Sequence, residues 1–163
     1  MATTPFTFTD MSNAIAGYPA LSVSLTITDK TQKSGAGGTS VNVNEIWGYK
    51  IKIKNTGNLN MTNVKLTIAG QNNVKVGSVY PPSPAGYTAD HIVADPLSID
   101  AGKTVTTREY YLQAPSTDSG NKTIDLVRVS IDDWDADLTY ILTNLAAQAD
   151  PPSDTFTAKV LPQ

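Results

Sequence analysis

The chain has 163 residues, a formal net charge of −3 and no cysteine. This length fits one domain, and such a domain buries enough apolar surface to fold without a covalent cross-link. The missing thiols exclude disulfides, thiolate metal sites and a cysteine nucleophile, while the acidic balance argues against a nucleic-acid partner. Because only 17% of the residues are charged, Thr, Asn, Ser and Gln must cover the surface. Such a composition is common in extracellular and virion β-proteins.

Residues 1–18 form a segment of their own, ahead of the main domain at 19–163. The segment has no basic region followed by an apolar one, so we do not expect a secretory signal, and the chain has no apolar run long enough for membrane insertion. Its two phenylalanines alternate with threonines, which indicates either a first edge strand or an arm that docks on a partner subunit. The candidate contact residues of this arm are Phe6, Phe8, Met11, Ile15 and Tyr18.

A strand is predicted over 20–28, where apolar residues alternate with Ser and Thr, and a glycine-containing loop follows. The stretch 45–70 gives the strongest structural signal, because the same alternation occurs twice, on either side of a turn rich in Asn, Thr and Gly. We expect two antiparallel strands in a hairpin, each with one buried and one solvated face. The apolar positions are Trp47, Tyr49, Ile51 and Ile53 in the first strand, then Val64, Leu66 and Ile68 in the second.

The passage 80–96 follows a short predicted strand at 73–79 and contains the run PPSPAGY. Proline cannot pair inside a sheet, so an irregular loop is expected here. A loop of this length in a compact domain is usually functional. Tyr80 and Tyr87 make it the first candidate for a partner-binding edge.

The remaining chain predicts strands at 104–112, 122–132 and 154–161. The alternation of the second of these slips by one residue at Leu126–Val127, which indicates a β-bulge or burial on both faces. The stretch 137–148 fits either a strand or a short helix with Asp137 as its N-cap, and we favour the helix. Seven to nine strands with frequent turns predict an all-β, antiparallel sandwich.

Five segments carry a resemblance to a known family. They are YKIKIKNTGN (49–58), MTNVKLTI (61–68), LSIDAGKTVT (97–106), VRVSIDDWDAD (127–137) and SDTFTAKV (153–160). Their order resembles a bacterial and archaeal family of immunoglobulin-like repeats rich in "NTGN…TNV" phrases. The resemblance covers about residues 20–161 and implies an immunoglobulin-like fold with a non-catalytic spacer or adhesive role outside the cell. The chain departs from the family in its missing signal peptide, its single module, its N-terminal arm and its helix-like insertion.

Residues suited to catalysis are few. The single histidine, His91, lies beside Asp90 in a predicted loop, and no GxSxG nucleophile motif accompanies it. A dense acidic group consists of Asp132, Asp133, Asp135 and Asp137. Carboxylates at such spacing can converge on Ca²⁺, although the EF-hand glycine and glutamate are missing. The alternative is a solvated turn in which these aspartates bond to their own backbone.

The sequence therefore predicts a non-catalytic structural or display module without a required cofactor. We expect a virion surface protein, such as a phage capsid decoration protein, that docks on a protein shell or on sister subunits through the arm and loops. The alternatives are a cell-surface adhesin or filament module, and a carbohydrate-binding module. The exposed aromatics expected to stack on sugars are Tyr80, Tyr87, Tyr110, Tyr111 and Trp134. The oligomeric state and the identity of the partner stay open.

Overall fold

A computed structural model describes residues 23–34, 40–41, 44–58, 60–82, 86–115, 122–136 and 153–160. Within these ranges the chain forms eleven strands and no helix. The first six strands are β1 (Val23–Gln32), β2 (Ser40–Val41), β3 (Ile46–Asn55), β4 (Met61–Gly70), β5 (Lys75–Gly77) and β6 (His91–Val93). The other five are β7 (Leu97–Ile99), β8 (Thr104–Thr106), β9 (Tyr110–Gln113), β10 (Lys122–Ala136) and β11 (Ser153–Val160).

The strands form two sheets. The first sheet has the order β1-β3-β9-β5, and β8 continues β9 along the same edge of β3. The second sheet has the order β2-β11-β10-β4-β6, and β7 continues β6 along the same edge of β4. The strand pairs are antiparallel, apart from a short parallel pair of β2 with β11. The described chain is therefore all-β with the character of a β-sandwich, as predicted.

The core lies between the two sheets. Apolar side chains at alternate positions of β3 and β4 point inward because a strand turns successive side chains to opposite faces. The apolar residues of these two strands that have no exposed surface are Tyr49, Ile51, Ile53, Met61, Val64, Leu66 and Ile68. The alternation in the sequence thus identified the buried faces correctly.

The predicted hairpin between β3 and β4 is wrong. The two strands belong to opposite sheets, so they face each other across the core instead of pairing. The buried Asn55 stabilises the crossing: its side-chain amide donates to Ile99 O at 3.1 Å, and its Oδ1 accepts from Gly57 N at 3.0 Å. Alternation specifies which face of a strand is buried, but it does not specify the neighbouring strand.

The β-bulge predicted near Leu126 is confirmed. The register between β10 and β11 shifts between Asp125 and Val127, and both Leu126 and Val127 are fully buried. By contrast, the predicted total of seven to nine strands is too low. The passage 80–103 contains the short strands β6 and β7, and the strand predicted at 104–112 is divided into β8 and β9. The arm at 1–18 and the helix expected at 137–148 lie outside the described residues.

Thr107 holds the break between β8 and β9. Its backbone N–H donates to Ile51 O at 2.9 Å, and its hydroxyl oxygen accepts from Ile51 N at 3.0 Å. The same hydroxyl donates to Arg108 O at 2.7 Å. A side-chain oxygen thus takes the place of a ladder carbonyl, so the chain can kink here without leaving a buried donor unpaired.

One backbone donor on the outer edge of β1 is bonded to a residue of the other sheet. Ile27 N points away from β3 and donates to Oδ2 of Asp154, on β11, at 2.6 Å. The second carboxylate oxygen, Oδ1, accepts from Thr155 N at 2.8 Å. Asp154 therefore joins the two sheets at this side of the sandwich.

Candidate functional site: a tyrosine shelf on the first sheet

Tyr111 lies on the solvent face of the first sheet, between two glycines. It is opposite Gly48 of β3 on one side and opposite Gly77 of β5 on the other. Its neighbours in the chain, Tyr110 and Leu112, are buried in the core, so the prediction that Tyr110 is an exposed, sugar-stacking aromatic is wrong. Adjacent strands lie about 4.8 Å apart, so two missing side chains leave room beside the Tyr111 ring for groups from elsewhere in the chain.

The ring of Tyr87 occupies the space above Gly77. A Cβ atom at Gly77 would collide with that ring, which explains why glycine stands inside this strand. The Tyr87 ring is parallel to the Tyr111 ring within 3°, with centroids 6.5 Å apart. Its hydroxyl donates to Val79 O at 2.7 Å. Burial, and to a lesser degree the neighbouring tyrosines, raise the pKa of Tyr87 to about 12.

An ion pair occupies the space above Gly48. Lys33 Nζ lies 2.9 Å from Oε1 of Glu109, and the Tyr111 hydroxyl donates to the other carboxylate oxygen, Oε2, at 2.9 Å. A Cβ atom at Gly48 would collide with both charged side chains. Burial pushes the pKa of Glu109 upward, but the hydrogen bonds from Lys33 and Tyr111 outweigh this effect and lower it. The hydrogen bond to Glu109 in turn raises the pKa of Lys33.

Tyr80 completes the aromatic group. Its ring centroid lies 5.6 Å from that of Tyr111 at an interplanar angle of 32°, and its hydroxyl donates to Lys33 O at 3.4 Å. The side chain is 41% exposed, and the preceding Val79 is 65% exposed. We call Tyr80, Tyr87 and Tyr111 the tyrosine shelf.

Arg108 fixes the loop that carries Tyr80. It emerges from the break after β8, where its Nε donates to Asp95 Oδ2 at 3.0 Å and its Nη1 donates to Ser78 O at 2.8 Å. The guanidinium also lies 4.8 Å from the centre of the Tyr110 ring, a favourable cation–π distance. The position of Tyr80 is thus coupled to the sheet beneath it.

The shelf has the chemistry of a binding surface. Each of its three hydroxyls is hydrogen-bonded to the protein, so the rings are held in position before any ligand arrives. Tyrosine rings combine apolar contact area with a polar tip and are enriched at interfaces. Glu109, the carboxylate beneath the shelf, is committed to Lys33 and Tyr111, which does not suit it to act as a general base.

The structure brings together two of the predicted partner-binding residues. Tyr80 and Tyr87 meet through Tyr111, whereas the five candidate residues of the arm lie outside the described residues. The sequence interpretation did not include Gly48 and Gly77 in the site. Glycines inside alternating strands were the available signal, because they often mark a close approach from another part of the chain.

Three of the four aspartates in the acidic group lie in a strand and not in a turn. Asp132, Asp133 and Asp135 belong to β10, which continues to pair with β4 as far as Ala136, whereas Asp137 lies outside the described residues. Where side chains are described, no three acidic or histidine residues converge as a metal site. The Ca²⁺ site stays a prediction. His91 is exposed on the short strand β6 and not in a loop.

Comparisons with known proteins give no family: no family model and no curated protein matches this chain. Among solved structures, a sporulation control protein from Bacillus subtilis is similar over 86% of this chain and 50% of its own, with 11% identity and a TM-score of 0.38. A family 123 glycoside hydrolase from Clostridium perfringens matches over 86% of this chain and 27% of its own, at 12% identity and a TM-score of 0.40. A β-glucosidase from intestinal bacteria matches over 83% of this chain and 16% of its own, at 13% identity and a TM-score of 0.30.

The chain therefore spans half of the sporulation protein and smaller shares of the two hydrolases. Similarities this distant carry no functional argument. Among the residues that can be described, no helix is long and apolar enough to cross a membrane.

Proposed function

We propose that this protein is a non-catalytic β-sandwich module that docks on a protein partner through the tyrosine shelf. Its role would be structural, as an outer component of a large assembly such as a virion. The shelf carries this proposal: three tyrosines lie together on the solvent face, and their hydroxyls are bonded to the protein. Binding surfaces gain most of their affinity from a few such aromatic anchors, and anchors that are already ordered lose less entropy on binding.

The exposed segment beside the shelf supports docking on a protein. Val79 and Tyr80 are among the few large apolar side chains with substantial exposure in the described chain, and both precede a pair of prolines. An exposed apolar group next to ordered aromatic rings is a common arrangement at protein interfaces.

The fold proposal is an immunoglobulin-like sandwich. The order β1-β3-β9-β5 in one sheet and β11-β10-β4 in the other supports it, because the immunoglobulin fold has strands A, B, E and D in one sheet and C, F and G in the other. Modules with this architecture commonly present their binding residues outside the core, on loops and sheet faces. The low share of charged residues, 17%, supports a role on an assembly exposed to the outside.

The second candidate function is carbohydrate binding. The parallel Tyr87 and Tyr111 rings, 6.5 Å apart, favour it, since flat aromatic side chains can stack on sugars. A glycan array separates the two candidates. If the wild type binds neutral glycans and Tyr80→Ala does not, carbohydrate binding is favoured. If no glycan on the array is bound, protein docking is favoured.

Sedimentation of the native protein on a density gradient tests the docking proposal. We expect the wild type to co-migrate with a large particle and Tyr80→Ala to be released from it. Val93→Ala is the matched control, because Val93 is also an exposed apolar residue but lies on β6 of the second sheet. Deletion of residues 1–18 tests the predicted arm separately.

Each outcome of this experiment has a distinct meaning. A wild-type protein found only as a free monomer in the lysate would refute the assembly role. Release of Val93→Ala and Tyr80→Ala to the same extent would refute the assignment of the shelf. The composition of the co-migrating particle distinguishes a virion from a cell-surface filament.

A further inference from the structure

The other half of the same sheet face carries a regular pattern of lysines. Lys50, Lys52 and Lys54 occupy alternate positions at the end of β3 and point to solvent, because the residues between them, Ile51 and Ile53, are buried. Alternate residues of a strand are roughly 7 Å apart. The three lysine side chains therefore leave the strand at evenly spaced points along one row.

Hydroxyl-bearing residues flank this row on the side of β1. Ser24 lies opposite Lys54, and Thr26 lies opposite Lys52. A shallow depression of about 360 Å³ between the two strands is lined by these four residues and Thr28. Its lining consists entirely of lysine, serine and threonine.

Hydroxyls also flank the row on the side of β8. Thr104 is the partner of Lys54, and Thr106 is the partner of Lys52. Both threonines are exposed. Each of the two lysines thus stands between two hydroxyl-bearing neighbours on adjacent strands, roughly 5 Å away on either side. We call Lys52, Lys54 and these four neighbours the lysine lattice.

The charges of the lattice are not neutralised within the described part of the chain. Lys50 has Asp29 at 3.9 Å, but neither Lys52 nor Lys54 has an ion-pair partner among the described residues. Both lysines are exposed. This local positive charge stands in a protein whose net charge is −3, so it reflects the arrangement of this face and not an overall basic character.

We propose that the lysine lattice binds an acidic polysaccharide. Lys52 and Lys54 would pair with its anionic groups, and the flanking Ser and Thr hydroxyls would donate to and accept from the sugar hydroxyls. Charge complementarity selects an anionic ligand, and the alternation of ammonium and hydroxyl groups matches a chain that carries both charges and hydroxyls.

Two other classes of polyanion fit the lattice less well. Single-stranded nucleic acids bind where aromatic side chains stack on the bases, and the lattice contains no aromatic residue. Anionic membranes hold proteins that insert apolar side chains at the interface, and the lattice contains no apolar residue either. A polysaccharide requires neither feature.

The lattice is separate from the tyrosine shelf. Gly48 marks the shelf on β3, and Lys52 and Lys54 are four and six residues further along that strand, or roughly 13 and 20 Å. This inference does not rest on the proposed docking function. A module held by its shelf could present the lattice to a glycan at the same time.

The test measures binding of the full chain to polygalacturonate and dextran sulfate, with neutral dextran as the uncharged probe. We expect Lys52→Gln/Lys54→Gln to weaken binding by about twofold to twenty-five-fold, since each exposed ion pair accounts for roughly 1.4-fold to fivefold in an equilibrium constant. Lys65→Gln/Arg128→Gln is the matched control, because it removes two charges from the second sheet. Lys52→Arg/Lys54→Arg keeps the charges and should keep binding.

Several results would overturn the proposal. These are no binding by the wild type, an equal loss in the control pair, or tighter binding to single-stranded DNA or anionic vesicles than to either polysaccharide. Thermal unfolding of each variant checks that the fold is intact. On the density gradient, Lys52→Gln/Lys54→Gln should still co-migrate with the particle, so failure of the lattice and failure of the docking proposal give different results.

Discussion

Replacing Thr107 by valine tests whether one buried hydroxyl maintains the break that positions the shelf. Valine has nearly the same shape as threonine, so the substitution removes hydrogen bonding while it leaves the packing almost unchanged. Ile51 N would lose the acceptor at 3.0 Å, and Arg108 O would lose the donor at 2.7 Å. Thr107 is 7% exposed and Ile51 is fully buried, so water cannot readily replace the lost acceptor.

The expected loss of stability follows from these contacts. A buried N–H group without an acceptor costs about 1–3 kcal/mol. The bond from Thr107 to Arg108 O is only partly buried, so we expect water to hydrate this carbonyl and the second loss to add little. The extra methyl group of valine returns at most about 0.8 kcal/mol through burial. We therefore expect Thr107→Val to lower the free energy of unfolding by about 1–2 kcal/mol.

Urea unfolding followed by tryptophan fluorescence measures this loss, with the m-value as a check on two-state behaviour. Thr107→Ser keeps the hydroxyl and should lose less than Thr107→Val. Thr106→Val is the control for the valine itself, because Thr106 is the exposed neighbour on β8. The reasoning fails if Thr107→Val and Thr106→Val unfold at the same urea concentration.

Two further predictions concern buried and charged groups near the shelf. Tyr49 is fully buried, and its hydroxyl has no hydrogen-bond partner within the described chain; Tyr49→Phe should therefore raise the free energy of unfolding by about 1 kcal/mol, and a thermal unfolding scan that shows a clear loss would contradict this. Burial raises the pKa of Glu109, but the hydrogen bonds from Lys33 and Tyr111 outweigh burial and lower this pKa from its ordinary value of 4.5. The ionised Glu109 therefore stabilises the fold above pH 4.5, and this stabilisation is lost as the pH falls through the lower, folded-state pKa. The wild type should accordingly lose more stability in acid than Glu109→Gln, and parallel curves of stability against pH would count against this ion pair.

Local alternation made much of the fold predictable. It identified the buried faces of β3 and β4, and its slip at Leu126–Val127 located the bulge in β10. These features depend on the side-chain period of a strand, which the sequence displays directly.

Strand pairing could not be predicted from this local alternation. A short polar connection such as 56–60 can close a hairpin or carry the chain to the opposite sheet. The side-chain amide of Asn55 stabilises the second arrangement, but only because the folded chain brings Ile99 O next to it. That contact joins residues 44 positions apart. A single sequence gives no sign of a long-range contact between an amide and a backbone carbonyl.

The candidate site was only partly predictable, because some of its residues come together through strand pairing. Tyr80 and Tyr87 could be identified because a long proline-rich loop is unusual in a compact domain. Tyr111 could be named only as one of several aromatics able to stack on sugars, because its position between Gly48 and Gly77 depends on the sheet register. The lysines of β3 were correctly expected on a solvated face, but the hydroxyl groups beside them come from two other strands.

The bond from Ile27 N to Asp154 has a consequence for crowded assemblies. An open strand edge is a template on which a second chain can extend the sheet, and many identical copies held close together would make such growth frequent. Here the carboxylate of Asp154 accepts from Ile27 N at 2.6 Å. An incoming strand would have to displace this charged group before it could pair with Ile27. The bonded carboxylate therefore opposes strand addition by another copy of the chain at this point on β1, and in the proposed display role this would limit polymerisation between neighbouring modules.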